Sequence, residues 1–225
     1  MHGARQYPGS VHLLIMELTR WLLLLLTELK ATSLLEWIGV GFGVAEVLLA
    51  RTNKIALYPC GIISIIITLY IYYASGLYGE VALNGYYLIM SAYGWWHWVR
   101  RKDEAAVEVA YASKCERWLA VTIVLVAFTV LYFSLKNLTD SEVPFWDAVV
   151  SATAWAGMWL LARRRIENWI LLNISNLIAI PLLLYKGHPL YALLTLFLFI
   201  VACFGYVQWK KIIEKKYEAQ RLATI

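Results

Sequence analysis

Charge is scarce in this chain. Of 225 residues only 16% are Asp, Glu, Lys or Arg, and 61% are hydrophobic. A soluble domain carries about 25% charged and about 45–50% apolar residues, so both departures point toward a membrane. Cysteine is nearly absent too. Cys60, Cys115 and Cys203 lie far apart and form no CxxC pair, which excludes a disulfide framework or a cysteine metal site. No GxxxxGK[ST] phosphate loop occurs, so the chain itself is not expected to hydrolyse ATP. His97 and His188, the histidines in or near apolar runs, fall at opposite faces in the topology below and cannot share a haem. The expectation is a protein that is not an enzyme and holds no cofactor and no metal.

What the sequence does have is long apolar runs and a mean hydropathy of +0.63. A spanning helix needs about 20 largely apolar residues. Seven segments meet that description, at about 34–50, 55–75, 79–100, 117–135, 144–162, 168–185 and 189–210, broken by turn-forming or charged stretches such as "ARTNK", "KNLTDSEVP" and "KGHP". Ahead of them, 11–29 is apolar but interrupted by Glu17, Arg20 and Glu28. It lacks a small-residue cleavage signature and reads as an amphipathic helix lying in the membrane interface.

The net charge of +5 does not point to nucleic acid, because the basic residues sit between apolar spans. One side collects Arg51, Lys54, Arg100, Arg101, Lys102, Lys114, Arg117, Arg163, Arg164, Arg165, Lys210, Lys211, Lys215, Lys216 and Arg221. By the positive-inside rule that side is cytoplasmic, and the C-terminus with it.

The chain also repeats itself. "YGWWHW" at 93–98 returns as "FGYVQW" at 204–209, "LLAR" at 48–51 returns at 160–163, and the turn at Gly76 faces the turn at Gly187. Spans 1–3 therefore match spans 5–7, and span 4 restores orientation. The expected fold is an all-α integral membrane protein, its seven transmembrane helices a 3+1+3 parallel-repeat bundle with an N-terminal amphipathic helix added. Its parts are an N-terminal segment (1–33), a first three-helix repeat (34–100), a cytoplasmic loop with linker helix (101–143), a second repeat (144–211) and a cytoplasmic tail (212–225). The closing Trp98 and Trp209, with their glycines, read as interface anchors and packing points.

Lone polar groups are costly in hydrocarbon, so a binding site should appear as a polar stripe on one helix face. Trp169, Asn173 and Asn176 form such a stripe at i, i+4 and i+7; Asn84, Tyr87, Ser91 and Trp95 form another at i, i+3, i+7 and i+11. The fifth span offers Asp147, Ser151 and Met158 on one face and Trp146, Thr153 and Gly157 on another, with Trp155 beside them. Glu46 is the exceptional intramembrane charge and is expected to pair with Arg51 by snorkelling. Aromatic walls with neutral amides suit a flat, hydroxylated, cationic molecule. An ion pump would need midplane carboxylates.

The segments "GVAEVLLARTNKIALYPCGI", "LYGEVALNGYYLIMSAYGWWHW" and "GMWLLARRRIENWILLNISNLIAIPLLLYKG" resemble the PnuC vitamin transporters of bacteria over about 36–211. The resemblance implies a full-length relative of the SWEET sugar transporters, often trimeric, in the inner membrane. It implies facilitated diffusion of nicotinamide riboside, a cationic pyridinium on a ribose, trapped by a cytosolic kinase. The family's sixth-span pattern is Trp, two residues, Trp, three residues, Asn. Trp169 and Asn176 match it, whereas Leu172 stands in place of the second Trp and Asn173 adds an amide. That departure keeps thiamine open as the substrate, with riboflavin or a deoxynucleoside behind it. On this reading Trp169 stacks on the ring, Asn173, Asn176 and Asn84 hold hydroxyls or the carboxamide, Tyr87 and Ser91 line the site, and Trp146 or Trp155 closes the opposite wall.

Overall fold

The computed structural model describes residues 8–74, 78–100, 109–139 and 141–222. The turn around Gly76 and the basic residues Arg101 and Lys102 lie outside them. Eight helices run through the described residues: α1 Pro8–Ala31, α2 Leu34–Arg51, α3 Leu57–Ala74, α4 Tyr78–Arg100, α5 Lys114–Leu138, α6 Pro144–Ala162, α7 Asn168–Tyr185 and α8 Pro189–Leu222. Their starts follow local chemistry. Ser33 with Glu36 and Ser113 with Glu116 form capping boxes ahead of α2 and α5, each satisfying amide donors that a helix leaves unpaired. Pro144 and Pro189 open α6 and α8, where a missing N–H costs nothing. Gly187, at φ 78, makes the left-handed turn before Pro189.

Among the described residues, α3, α5, α6, α7 and α8 are each long and apolar enough to cross a bilayer. The protein is a multi-pass, all-helical membrane protein. Seven spans are expected from sequence, but α2 passes only jointly with Ile15–Ala31, from which it is bent by 103°. α4 does not pass on its own, since Asn84, its tyrosines and His97 dilute its hydropathy. α8 also departs from expectation. It continues as one helix to Leu222 instead of ending near 210, with Ile213 buried in the main core.

Helix contacts trace a closed ring in the order α2, α3, α4, α6, α7, α8 and back to α2. α5 packs on α6 alone and α1 on α8 alone, so both stand outside the ring. The same contacts recur 111 residues apart. Ser64 donates to Gly39 O at 2.8 Å and Ser175 to Val150 O at 2.8 Å. Tyr58 meets Trp98 edge-on, with ring centroids 5.1 Å apart, as Trp169 meets Trp209 at 5.5 Å. Asn53 and Arg164 share the left-handed conformation, at φ 56 and 55. Because that turn pairs Asn53 with Arg164, Arg51 corresponds to Ala162. The "LLAR" match of 48–51 with 160–163, at a spacing of 112, is therefore one residue out of register.

The two tryptophans of the repeated motif do more than anchor. Trp98 on α4 donates its indole N–H to Ala162 O at the end of α6, at 3.0 Å. Trp209 on α8 donates to Ala50 O at the end of α2, at 3.1 Å. The last four carbonyls of a helix lack intrahelical partners, so each of the two helix triplets, α2–α4 and α6–α8, caps a helix end of the other. Gly94 and Gly205 make this possible. A Cβ on Gly94 would collide with Tyr58, and one on Gly205 would come within 2.7 Å of the Trp169 ring.

The turn between α6 and α7 is tied to the segment before α5. Glu116 accepts from Arg163 and Arg165 at 2.9 and 3.0 Å. Ala110 pairs with the backbone of the turn through Arg164 O and Ile166 N, and Ala112 N donates to the Glu167 carboxylate. Arg164 lies 3.4 Å from the centre of the Trp98 ring. Burial lowers its pKa to about 10, partly offset by Tyr58, so it stays a cation at neutral pH and the contact is a charged one.

Gly205→Ala should destabilise the protein by about 1–3 kcal/mol through overpacking. Gly41→Ala, where a Cβ meets nothing within 4 Å, should be neutral or stabilise by up to about 1 kcal/mol. Thermal unfolding in detergent separates the two.

Candidate functional site

The predicted site residues divide between packing and interior. Trp155 on α6 stacks on Tyr86 of α4, with centroids 4.3 Å apart and planes at 21°, and the Tyr86 hydroxyl donates to Trp155 O at 3.1 Å. This joins the two triplets midway along the ring. Tyr87 makes an edge contact with Tyr86 at 6.1 Å and Asn84 is half-buried one turn away. Ser91 is 1% exposed on the same helix. Tyr86, the residue that makes the stack, was not distinguishable from its neighbour Tyr87 by spacing alone.

On α7, Asn173 and Asn176 are half-buried. Asn173 Nδ2 lies 3.5 Å from Cys203 Sγ on α8. Trp169, one turn nearer the helix start, is 1% exposed and enclosed by Gly205 and Trp209. Its faces are occupied by protein in this conformation. Trp146 is 49% exposed and lines a separate groove of about 470 Å³ with Leu177, Pro181 and Tyr185. Trp146 and Trp155 are nine residues apart, which puts them on opposite faces of α6, so only Trp155 joins the interior. Asp147 is not part of an interior stripe either. It pairs with Lys186 at 2.7 Å and accepts from Ser141. Thr153 satisfies its hydroxyl on its own helix, at Val149 O and Val150 O.

Polar atoms left without a partner mark where the interior can still bond. Trp155 Nε1, Ser91 Oγ and Asn173 Oδ1 are buried and find no hydrogen-bond partner in the protein, as do Trp169 Nε1 and Tyr58 OH. An unmet buried donor or acceptor costs about 1–3 kcal/mol. Three helices of the ring thus present donors and acceptors that a polar ligand would satisfy.

The expected Glu46–Arg51 pair does not form. Arg51 donates to Gln208 at 3.1 Å and lies over Phe204. Residues five apart sit about 140° apart around a helix, so Glu46 faces α3 while Arg51 faces α8. The Glu46 carboxylate occupies the space beside Gly61 and borders a cavity of about 320 Å³ between α2, α3 and α8, with Glu36, Ser64, Thr68, Tyr72 and Tyr191. That volume lies at the low end of the range for small-molecule sites. Among the described residues no cluster of His, Cys, Asp or Glu suits a metal ion.

A ring of membrane helices that carry unpartnered buried polar atoms defines the class: a polytopic membrane protein with polar groups within its helix bundle. The family follows from comparison with known proteins. The model of the nicotinamide mononucleotide transporter family matches residues 33–211, and the chain belongs to that family. It is 24% identical over 203 residues to the nicotinamide riboside transporter PnuC of Escherichia coli (strain K12), covering 79% of this chain and 85% of that protein. To PnuC of Neisseria mucosa it is 26% identical over 187 residues, covering 77% and 70%. The riboflavin/roseoflavin transporter RibM of Streptomyces davaonensis is 24% identical over 159 residues, covering 68% and 73%. A crystal structure of the vitamin B3 transporter PnuC superposes with a TM-score of 0.66 at 23% identity, over 95% of each chain, which shows a shared fold.

Asn173→Leu should leave thermal stability unchanged or raise it by up to about 1 kcal/mol, since it removes a buried acceptor that has no partner. A loss of more than about 1 kcal/mol in detergent unfolding would make the amide a packing group.

Proposed function

We propose that the protein takes up nicotinamide riboside, a precursor of NAD, across the bacterial inner membrane by facilitated diffusion. The observation that carries this reading is the set of unpartnered buried polar atoms on Trp155, Ser91 and Asn173, on three helices of a ring that belongs to the nicotinamide mononucleotide transporter family. Trp155 and Tyr86 offer an aromatic wall for a pyridinium ring. Asn173, Asn176 and Asn84 offer the amides that ribose hydroxyls and a carboxamide need. Trp169 joins the site only if the α7–α8 packing opens.

The arrangement is a 3+1+3 bundle, α2–α4 and α6–α8 as parallel repeats with α5 as the linker, and α1 lies along the membrane surface. The arginine-rich turns and the C-terminus face the cytoplasm. The reciprocal Trp98 and Trp209 caps then close the cytoplasmic end, while the α2–α3–α8 cavity lies toward the outside. Transport follows when one triplet rocks against the other and these caps part. A cytosolic kinase would draw the flux inward by phosphorylating the product, and the protein assembles as a homotrimer.

Thiamine is the second reading, and Leu172 is what favours it. The residue packs over Gly157 where the family carries a second Trp, leaving one aromatic wall fewer. Calorimetric titration of the purified protein with nicotinamide riboside, thiamine and riboflavin decides between them. Nicotinamide riboside is expected to bind. Asn176→Ala should weaken that binding by about 1–3 kcal/mol. Binding of thiamine alone would replace the first reading, and an unchanged affinity in Asn176→Ala would remove that residue from the site.

A further inference from the structure

The two triplets repeat their backbone contacts but differ in what fills one position. On α6 and α7, the close approach is made by Gly157 with the Leu172 side chain over it, at 2.9 Å from a Cβ built on the glycine. The equivalent positions 111 residues earlier are Glu46 and Gly61, and there the large residue is a carboxylate. Leu172 shows that an apolar side chain suffices for this packing. A charge inside a membrane span is costly and marks function when no partner neutralises it. No ion pair to Glu46 occurs among the described residues.

Glu46 also borders the cavity of about 320 Å³ between α2, α3 and α8. On α2 the position matching Trp155 is Val44, and Val44 lines the 320 Å³ space. Trp155 itself stacks on Tyr86 of α4, across the junction of the two triplets. The cavity lies on the inner side of α2, since Leu34, Ile38 and Leu48 on the opposite face are exposed. Its lining runs about two to three turns from Glu36 to Glu46 and includes two carboxylates and no Lys, Arg or His.

We propose that this cavity is a cation-admitting vestibule in which Glu46 recognises the positive charge of the transported ring, Gly61 making room for its carboxylate. The inference rests on the nicotinamide riboside reading and assigns its charge selectivity to α2. In a low-dielectric site a fixed carboxylate favours a cation over a neutral molecule of equal shape. Trp155 and the amides by themselves select shape and hydroxyls.

The test compares two ligands of nearly identical shape, nicotinamide riboside and its neutral dihydro form, by titration of the full-length protein in detergent. The wild type should bind the cation at least tenfold more tightly. Glu46→Gln should bring the two within about threefold by weakening the cation alone. Glu46→Leu, which copies the packing of Leu172, reads the same difference should the Gln variant not fold. A cation preference retained in the variants overturns the proposal. So does equal weakening of both ligands, which would make Glu46 a packing residue. A wild type that binds neither ligand instead overturns the substrate reading itself.

Discussion

Everything in this fold hangs on how helix ends are finished away from water. α2 and α6 each stop with carbonyls that have no partner within the helix, at an end where three consecutive arginines or an Arg–Thr–Asn turn must reverse the chain. Each end is capped by an indole N–H from the far triplet, Trp209 on Ala50 and Trp98 on Ala162. The bond is worth only about 0.5–1.5 kcal/mol in net terms; it is a second bond at Ala50 O, which also accepts from Asn53 N at 2.9 Å, and it ties together helices from the two halves of the chain. The caps also fix which helices are neighbours. α8 must lie beside α2, and α4 beside α6, which is what closes the ring. The glycines before them follow, because each Trp reaches its carbonyl only where the neighbouring aromatic can lie flat against bare backbone.

A fold repeated at this fidelity leaves little room for accident in the places where the repeat breaks. Backbone contacts that hold the helices, such as Ser64 to Gly39 and Ser175 to Val150, are kept. What changes is the filling between them. One triplet has Val44, Glu46 and a cavity; the other has Trp155, Gly157 and an aromatic stack. The result is a largely apolar cavity that holds two carboxylates in one half and an aromatic stack with an unpaired indole N–H in the other.

Much of this was legible in the residues. Span positions are local properties, so hydropathy and the turn-forming or charged breaks place most helix ends within a few residues. The repeat was legible because aromatic–Gly–aromatic endings are rare enough to recognise. The one-residue error at "LLAR" came from trusting residue identity where turn geometry decides. Side-chain direction was the harder part. A stripe at i, i+4, i+7 puts Trp169, Asn173 and Asn176 on one face but ignores depth, and Trp169 lies one turn lower, in the Trp209 packing layer. Glu46 and Arg51 are close in sequence and 140° apart around the helix. Tyr86 and Tyr87 are neighbours, and only the position of Trp155 on another helix tells which one stacks.

The central claim is that this ring passes nicotinamide riboside in both directions without an energy source of its own. Counterflow in proteoliposomes tests it most directly. Vesicles loaded with unlabelled nicotinamide riboside should transiently accumulate the labelled compound from outside, unaffected by a protonophore. No accumulation above that of protein-free vesicles would contradict the account. So would uptake that occurs only when a proton gradient is imposed.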